Sequence, residues 1–208
     1  MSTTGRRAIL FLSLLALGVA GLAVKRLWRA EASLPQAETG VTRLSPPLSL
    51  PGFRLQASNG KPFAREDLAG QWSLLFFGYT HCPDVCPATL KSLQAVTAQL
   101  RARGRPLRVV FVTLDPERDT PETLRDYLRY FDPAFIGLGG DAAELSRLRE
   151  ALGVYTARSE AHSAAGYLLS HTDRLFLLNP QGEVVALFGD RNDSRRLAQG
   201  IAALMQAG

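Results

Sequence analysis

Hydrophobic and polar positions divide the chain into three stretches of different character. From Ala8 to Val24 the sequence AILFLSLLALGVAGLAV is uncharged and mostly apolar. Residues 25–48 mix charge, Ala and Ser with Pro35, Pro46 and Pro47 and show neither helical nor strand period. Beyond them apolar residues recur at the spacings of regular structure. Phe53 to Ala57 predicts a short strand, Asn59-Gly60 a turn, and Trp72 to Phe77 (WSLLFF) a strand buried on both faces. Leu90, Leu93, Val96 and Leu100 stand at helical spacing within Ala88 to Arg103, ahead of Gly104. Leu107 to Leu114 (LRVVFVTL) predicts a second buried strand, and the helix after it starts with Thr120 as cap and Pro121 in the first turn. Residues 141–152 carry Leu145, Leu148 and Leu152 on one helical face. Tyr155 to Gly166 is polar and reads as an excursion or hairpin. Arg174 to Leu178 and Glu183 to Phe188 flank the turn Asn179-Pro180-Gln181-Gly182 as a β-hairpin, and Ser194 to Met205 reads as a closing helix.

Strand, helix, strand, helix followed by an antiparallel hairpin and a last helix gives a three-layer α/β domain, in the order of a thioredoxin-like fold. The expected organisation is a transmembrane anchor or signal segment over 1–24, a flexible tether over 25–48, and one domain over 49–208. In open α/β sheets the working loops lie beyond the carboxyl ends of the strands, which places the loops after Phe77 and Leu114 at one edge.

Composition adds where the chain resides. The 17-residue apolar run of 8–24 is bracketed by Arg6 and Arg7 before and Lys25, Arg26 and Arg29 after. At 1.5 Å per residue such a run is at the short end of what spans a bilayer, and the basic residues behind it favour an uncleaved anchor. The net charge of +5 comes mostly from scattered arginines with no basic block, which argues against nucleic acid and is compatible with anionic lipid.

The chain has only 2 cysteines, Cys82 and Cys86, in Gly78-Tyr79-Thr80-His81-Cys82-Pro83-Asp84-Val85-Cys86-Pro87. One nearby pair is not a disulfide scaffold. Pro87 suits a first helical turn, so Cys86 falls near a helix start and Cys82 in the loop before it. A helix N-terminus favours the thiolate, and two thiolates three residues apart converge on a soft ion such as Cu(I) or zinc. Two sulfurs leave the ion short of ligands. Of His81, His162 and His171, the first adjoins Cys82 and points away from a shared site, and the second lies in the polar excursion. His171 stands where a thioredoxin-like chain returns past the cysteine loop. It is an even choice between ligand and ordinary surface or core residue.

GYTHCPDVCP (78–87), LDPERDTPE (114–122) and YLLSHT around His171 together resemble the SCO/SenC copper chaperones of cytochrome c oxidase assembly. The resemblance runs from about Leu48 to the C-terminus, with the anchor in addition. It implies a thioredoxin-like domain facing the periplasm and a copper ion held by Cys82, Cys86 and His171. It also implies delivery to cytochrome c oxidase subunit II, with a periplasmic copper donor and a thioredoxin-like reductant as further partners, and a carrier instead of an enzyme. Asp115 matches an acidic position near the site, where it is expected either to orient His171 through a hydrogen bond or to serve as a turn carboxylate. Oxidation would make Cys82 and Cys86 a redox-active disulfide and abolish the site.

A thiol-disulfide oxidoreductase that keeps the subunit II cysteines reduced is the rival reading. Its spacing is unusual, since three residues separate the thiols and Ser170-His171-Thr172 lacks the facing proline of redox members. A peroxidase fits less well, with Thr80 two positions before Cys82. A structural disulfide would close too small a loop to stabilise much, and structural zinc wants four ligands where three are evident.

Overall fold

The computed structural model describes residues 40–163, 166–189 and 193–207. The apolar run at 8–24 lies outside them, and no helix among the described residues is long and apolar enough to cross a membrane.

The strands are β1 (Val41–Ser49), β2 (Arg54–Ala57), β3 (Pro62–Ala64), β4 (Ser73–Gly78), β5 (Arg108–Thr113), β6 (Ile136–Gly139), β7 (Thr156–Ser163), β8 (Gly166–His171), β9 (Leu175–Leu178) and β10 (Glu183–Phe188). The helices are α1 (Val85–Arg101), α2 (Pro121–Arg129), α3 (Ala142–Ala151) and α4 (Ser194–Ala207). Eight strands form one sheet in the order β1-β10-β9-β4-β5-β6-β2-β3, and β7 and β8 form a separate two-stranded sheet. β4, β5 and β6 are parallel neighbours, while β9 runs antiparallel to β4.

All six residues of β4 are buried because both faces of the sheet are covered. Side chains alternate across a strand, so Leu74 and Phe76 face one layer and Leu75 and Phe77 the other. The first layer takes Leu90, Leu93, Val96 and Leu100 of α1 with Leu124 of α2 and Leu197 and Ile201 of α4. The second takes Leu145 and Leu148 of α3. This is the three-layer α/β arrangement that the continuous apolar runs implied.

The segment expected to be a tether ends earlier than residue 48. Val41–Ser49 is an edge strand whose Val41 pairs with Phe188 and whose Ser49 pairs with Glu183. Its register slips between Arg43 and Leu48, the stretch that contains Pro46 and Pro47. Proline cannot donate to a ladder and is tolerated at a sheet edge, which is why a strand forms here without an alternating pattern.

Candidate metal centre

Gly78 closes β4, and its carbonyl accepts the Leu114 amide at 2.8 Å, fixing the loops after β4 and β5 side by side. The Cys82 amide then donates to the Tyr79 carbonyl at 3.2 Å, and α1 starts directly after Asp84. Cys86 is therefore the second residue of the helix. Its side chain is fully buried, whereas Cys82 is partly exposed, and the two are not joined in a disulfide.

The first-turn amide of Cys86 donates to the Cys82 sulfur at 3.4 Å. The Cys82 thiol falls from 9.0 to about 5, chiefly through a hydrogen bond from the Cys86 side chain. The backbone amides of Cys86 and Asp84 and the charge of His171 add to this, against the opposing effect of burial. Cys82 is thus a thiolate at neutral pH, the form that binds metal or attacks a disulfide.

His171 is the last residue of β8. Its Nε2 lies 3.8 Å from the Cys86 sulfur, and its Nδ1 lies 2.9 Å from the Thr172 carbonyl. A carbonyl only accepts, so Nδ1 carries the proton in the neutral ring and the Nε2 lone pair faces the sulfur. The Tyr79 ring stands edge-on to the imidazole with centroids 6.4 Å apart.

The loop after β5 supplies two buried carboxylates. Asp115 accepts from the Tyr167 hydroxyl at 2.6 Å and from Arg118 Nε at 2.5 Å. Asp115 and His171 have separate direct partners: the imidazole Nδ1 faces the Thr172 carbonyl, and Asp115 holds Tyr167 and Arg118. Asp119 accepts from the hydroxyls of Thr80 at 2.5 Å and Thr113 at 2.6 Å and from the Thr80 amide at 3.1 Å. Burial pushes its carboxyl up, with the Thr113 and Thr80 donors pulling the other way. His81 turns to this cluster, its Nδ1 3.1 Å from the Thr80 hydroxyl, and not to the sulfurs.

Asp119 and Tyr167 were not singled out from sequence, and Thr80 entered only in weighing a peroxidase. Asp119 shares a loop with Asp115, and Tyr167 and His171 stand four apart in a strand, on one face, so both signals were present.

With bond lengths typical of a d10 ion, about 2.3 Å to sulfur and about 2.0 Å to nitrogen, trigonal coordination separates the two ligand atoms by about 3.7 Å. The observed 3.8 Å between Cys86 Sγ and His171 Nε2 fits that geometry. Among the described residues no group of three His, Cys, Asp or Glu side chains is already set to hold a metal ion, although the Cys82 sulfur lies 3.4 Å from the Cys86 amide.

The SCO1/SenC family model matches residues 43–206. A Stutzerimonas stutzeri protein that carries the name of a copper-binding protein is 40% identical over 183 residues, covering 87% of this chain and 85% of that protein. The mitochondrial SCO1 homologue of Mus musculus is 35% identical over 157 residues, 74% of this chain. The match covers 55% of the mouse protein, so the chain spans little more than half of that relative. The crystal structure of Arabidopsis thaliana ScoI with copper bound superimposes with a TM-score of 0.74 at 31% identity, over 76% of this chain and 99% of that one. With its thioredoxin-like sheet and a family match that takes in both cysteines, both buried aspartates and the histidine, the chain belongs to the SCO1/SenC family.

Proposed function

We propose that this protein carries one copper ion on Cys82, Cys86 and His171 and hands it to cytochrome c oxidase subunit II during oxidase assembly. The observation that carries the reading is the Nε2 lone pair of His171 held 3.8 Å from the Cys86 sulfur by the bond of Nδ1 to the Thr172 carbonyl. Two thiolates and an imidazole are the soft and borderline donors that suit Cu(I). Three ligands leave the ion open to a fourth, so an acceptor ligand attacks before a donor ligand departs, and transfer is ligand exchange. Copper bound to the Arabidopsis relative supports the cargo; subunit II as acceptor is assigned from the family resemblance. The apolar run at 8–24 would hold the domain at the periplasmic face of a membrane, where a periplasmic donor loads it.

A second reading rests on the low thiol of Cys82. In it the Cys82 thiolate attacks a disulfide sulfur of subunit II and forms a mixed disulfide. Cys86 then displaces the second thiol, leaving subunit II with two thiols and this chain with a Cys82–Cys86 disulfide. A thioredoxin-like dithiol restores the pair by giving up two electrons and two protons.

The test is Cu(I) titration of the reduced full-length chain in detergent. The expected result is one copper per chain, weaker binding in His171→Ala, and none in Cys82→Ala or Cys86→Ala. Unchanged affinity in His171→Ala, together with reduction of insulin disulfides by the wild type, would establish the oxidoreductase in place of the carrier.

A further inference from the structure

The three proposed ligands come from two segments that share no main-chain ladder. The cysteines follow β4, and His171 ends the β7–β8 hairpin, which is a sheet of its own. A lone two-stranded hairpin is marginal in water, so its position depends on side-chain contacts with the body.

Those contacts come from one face of β8 and from its main-chain edge. Tyr167, Leu169 and His171 alternate to the same side of β8. The Tyr167 hydroxyl bonds Asp115 at 2.6 Å, the Leu169 amide donates to the Tyr79 hydroxyl at 3.2 Å, and His171 meets Cys86. Arg118 donates to the Tyr167 carbonyl at 3.3 Å, and the guanidinium groups of Arg118 and Arg158 each lie 3.6 Å from the Tyr167 ring centre. The same loop holds the thiol segment through Asp119, which takes both the amide and the hydroxyl of Thr80. Asp115 and Asp119 are buried, at 3% and 1% exposure, and the loop between them is closed by the Asp119 amide donating to the Asp115 carbonyl at 2.9 Å.

We propose that the Asp115–Asp119 loop is a clamp that sets the separation of the two ligand-bearing segments, with Tyr167 as the positioning residue for His171 and Thr80 as the positioning residue for the cysteine loop. Tyr167 acts on the metal only through His171. Thr80 acts only through the sulfurs. The proposal rests on His171 being a copper ligand, and its two arms separate the failure of each.

The first arm uses the metal-free full-length chain in detergent and follows amide hydrogen exchange. Tyr167→Phe loses the hydroxyl-to-carboxylate bond and keeps the ring. Exchange across Gly166–His171 should accelerate about tenfold, the factor expected for one hydrogen bond to a charged group, while β4 and β5 stay unchanged. Unchanged exchange across the hairpin, or equal acceleration in β4 and β5, overturns the clamp.

The second arm is a Cu(I) affinity cycle. Tyr167→Phe should weaken copper binding about tenfold beside the native histidine and have no effect in the His171→Ala background. Thr80→Val should weaken binding in both backgrounds. A general loss of stability would instead give the same Tyr167→Phe factor in both, and that result overturns the positioning role, as does no loss with His171 present. If His171→Ala alone leaves affinity unchanged, the ligand assignment has failed and the exchange arm alone decides the clamp.

Discussion

A Cβ added to Gly78 would stand 2.9 Å from the sulfur of Cys86 and 2.8 Å from the ring of Phe111. Only a hydrogen at the end of β4 lets the buried sulfur rest against the strand. Gly78→Ala therefore has to move α1 or the Phe111 ring, an overpacking that costs about 1–3 kcal/mol. The expected result is that loss in urea denaturation of the metal-free chain, with weaker Cu(I) binding alongside. An alanine variant as stable as the wild type would mean that the helix start gives way freely.

Cys82 should react with iodoacetamide at a rate that is flat between pH 6 and 8 and falls away below about pH 5. Because the Cys86 side chain is the largest cause of the low value, Cys86→Ala should move the midpoint upward toward the ordinary 9.0. The sign for stability follows from the same shift. The folded value lies below the unfolded one, so the thiolate's contribution is complete above about 9 and is lost as pH falls through about 5. A midpoint that stays at about 5 in Cys86→Ala would transfer the effect to the helix amides.

Asp119→Ala leaves the Thr80 amide and the hydroxyls of Thr80 and Thr113 without their acceptor, a cost of about 1–3 kcal/mol for a buried donor. Asp119→Asn keeps an acceptor oxygen and should cost much less. Burial raises the carboxyl, so its contribution to stability is present below the ordinary value of 3.8 and is lost as pH rises through the folded value. Denaturation of wild type and Asp119→Asn across pH 4 to 8 should show the asparagine chain gaining relative to the wild type as pH rises. A constant difference would show that the carboxyl titrates as it does unfolded.

A fragment beginning at residue 50 lacks β1 and exposes the β10 edge from Glu183 to Phe188. An unpaired edge recruits other chains, so this fragment should associate in a concentration-dependent way where one beginning at residue 40 stays monomeric by sedimentation. Equal behaviour of the two would make β1 dispensable.

The continuous apolar runs of β4 and β5 and the hairpin of β9 and β10 were legible because burial on both faces leaves a sequence trace independent of partners. The cap at Thr120 was legible too, and its side chain accepts from the Thr123 amide. β1, β3 and β6 were not read as strands. β1 carries Pro46 and Pro47 and β6 is Ile136-Gly137-Leu138-Gly139, and each is a strand because a distant neighbour supplies its ladder; β3 is three residues long and is held by β2 across the Asn59-Gly60 turn. At the site, the cysteine loop was legible from residue type and the return of the chain past it from fold order, while His171 stayed an even choice until the family resemblance singled it out. The partner of Asp115 was not, since Tyr167 lies 52 positions away and nothing local marks the pair.

The two sulfurs differ in access, with Cys86 fully buried beneath the first turn of α1 and Cys82 partly open. An approaching protein therefore meets the sulfurs in a set sequence. Whatever it carries, a competing ligand or a strained bond, first contact is at Cys82. Depth below the surface separates the two sulfurs, and a bulky reagent should distinguish the two positions where a small one cannot.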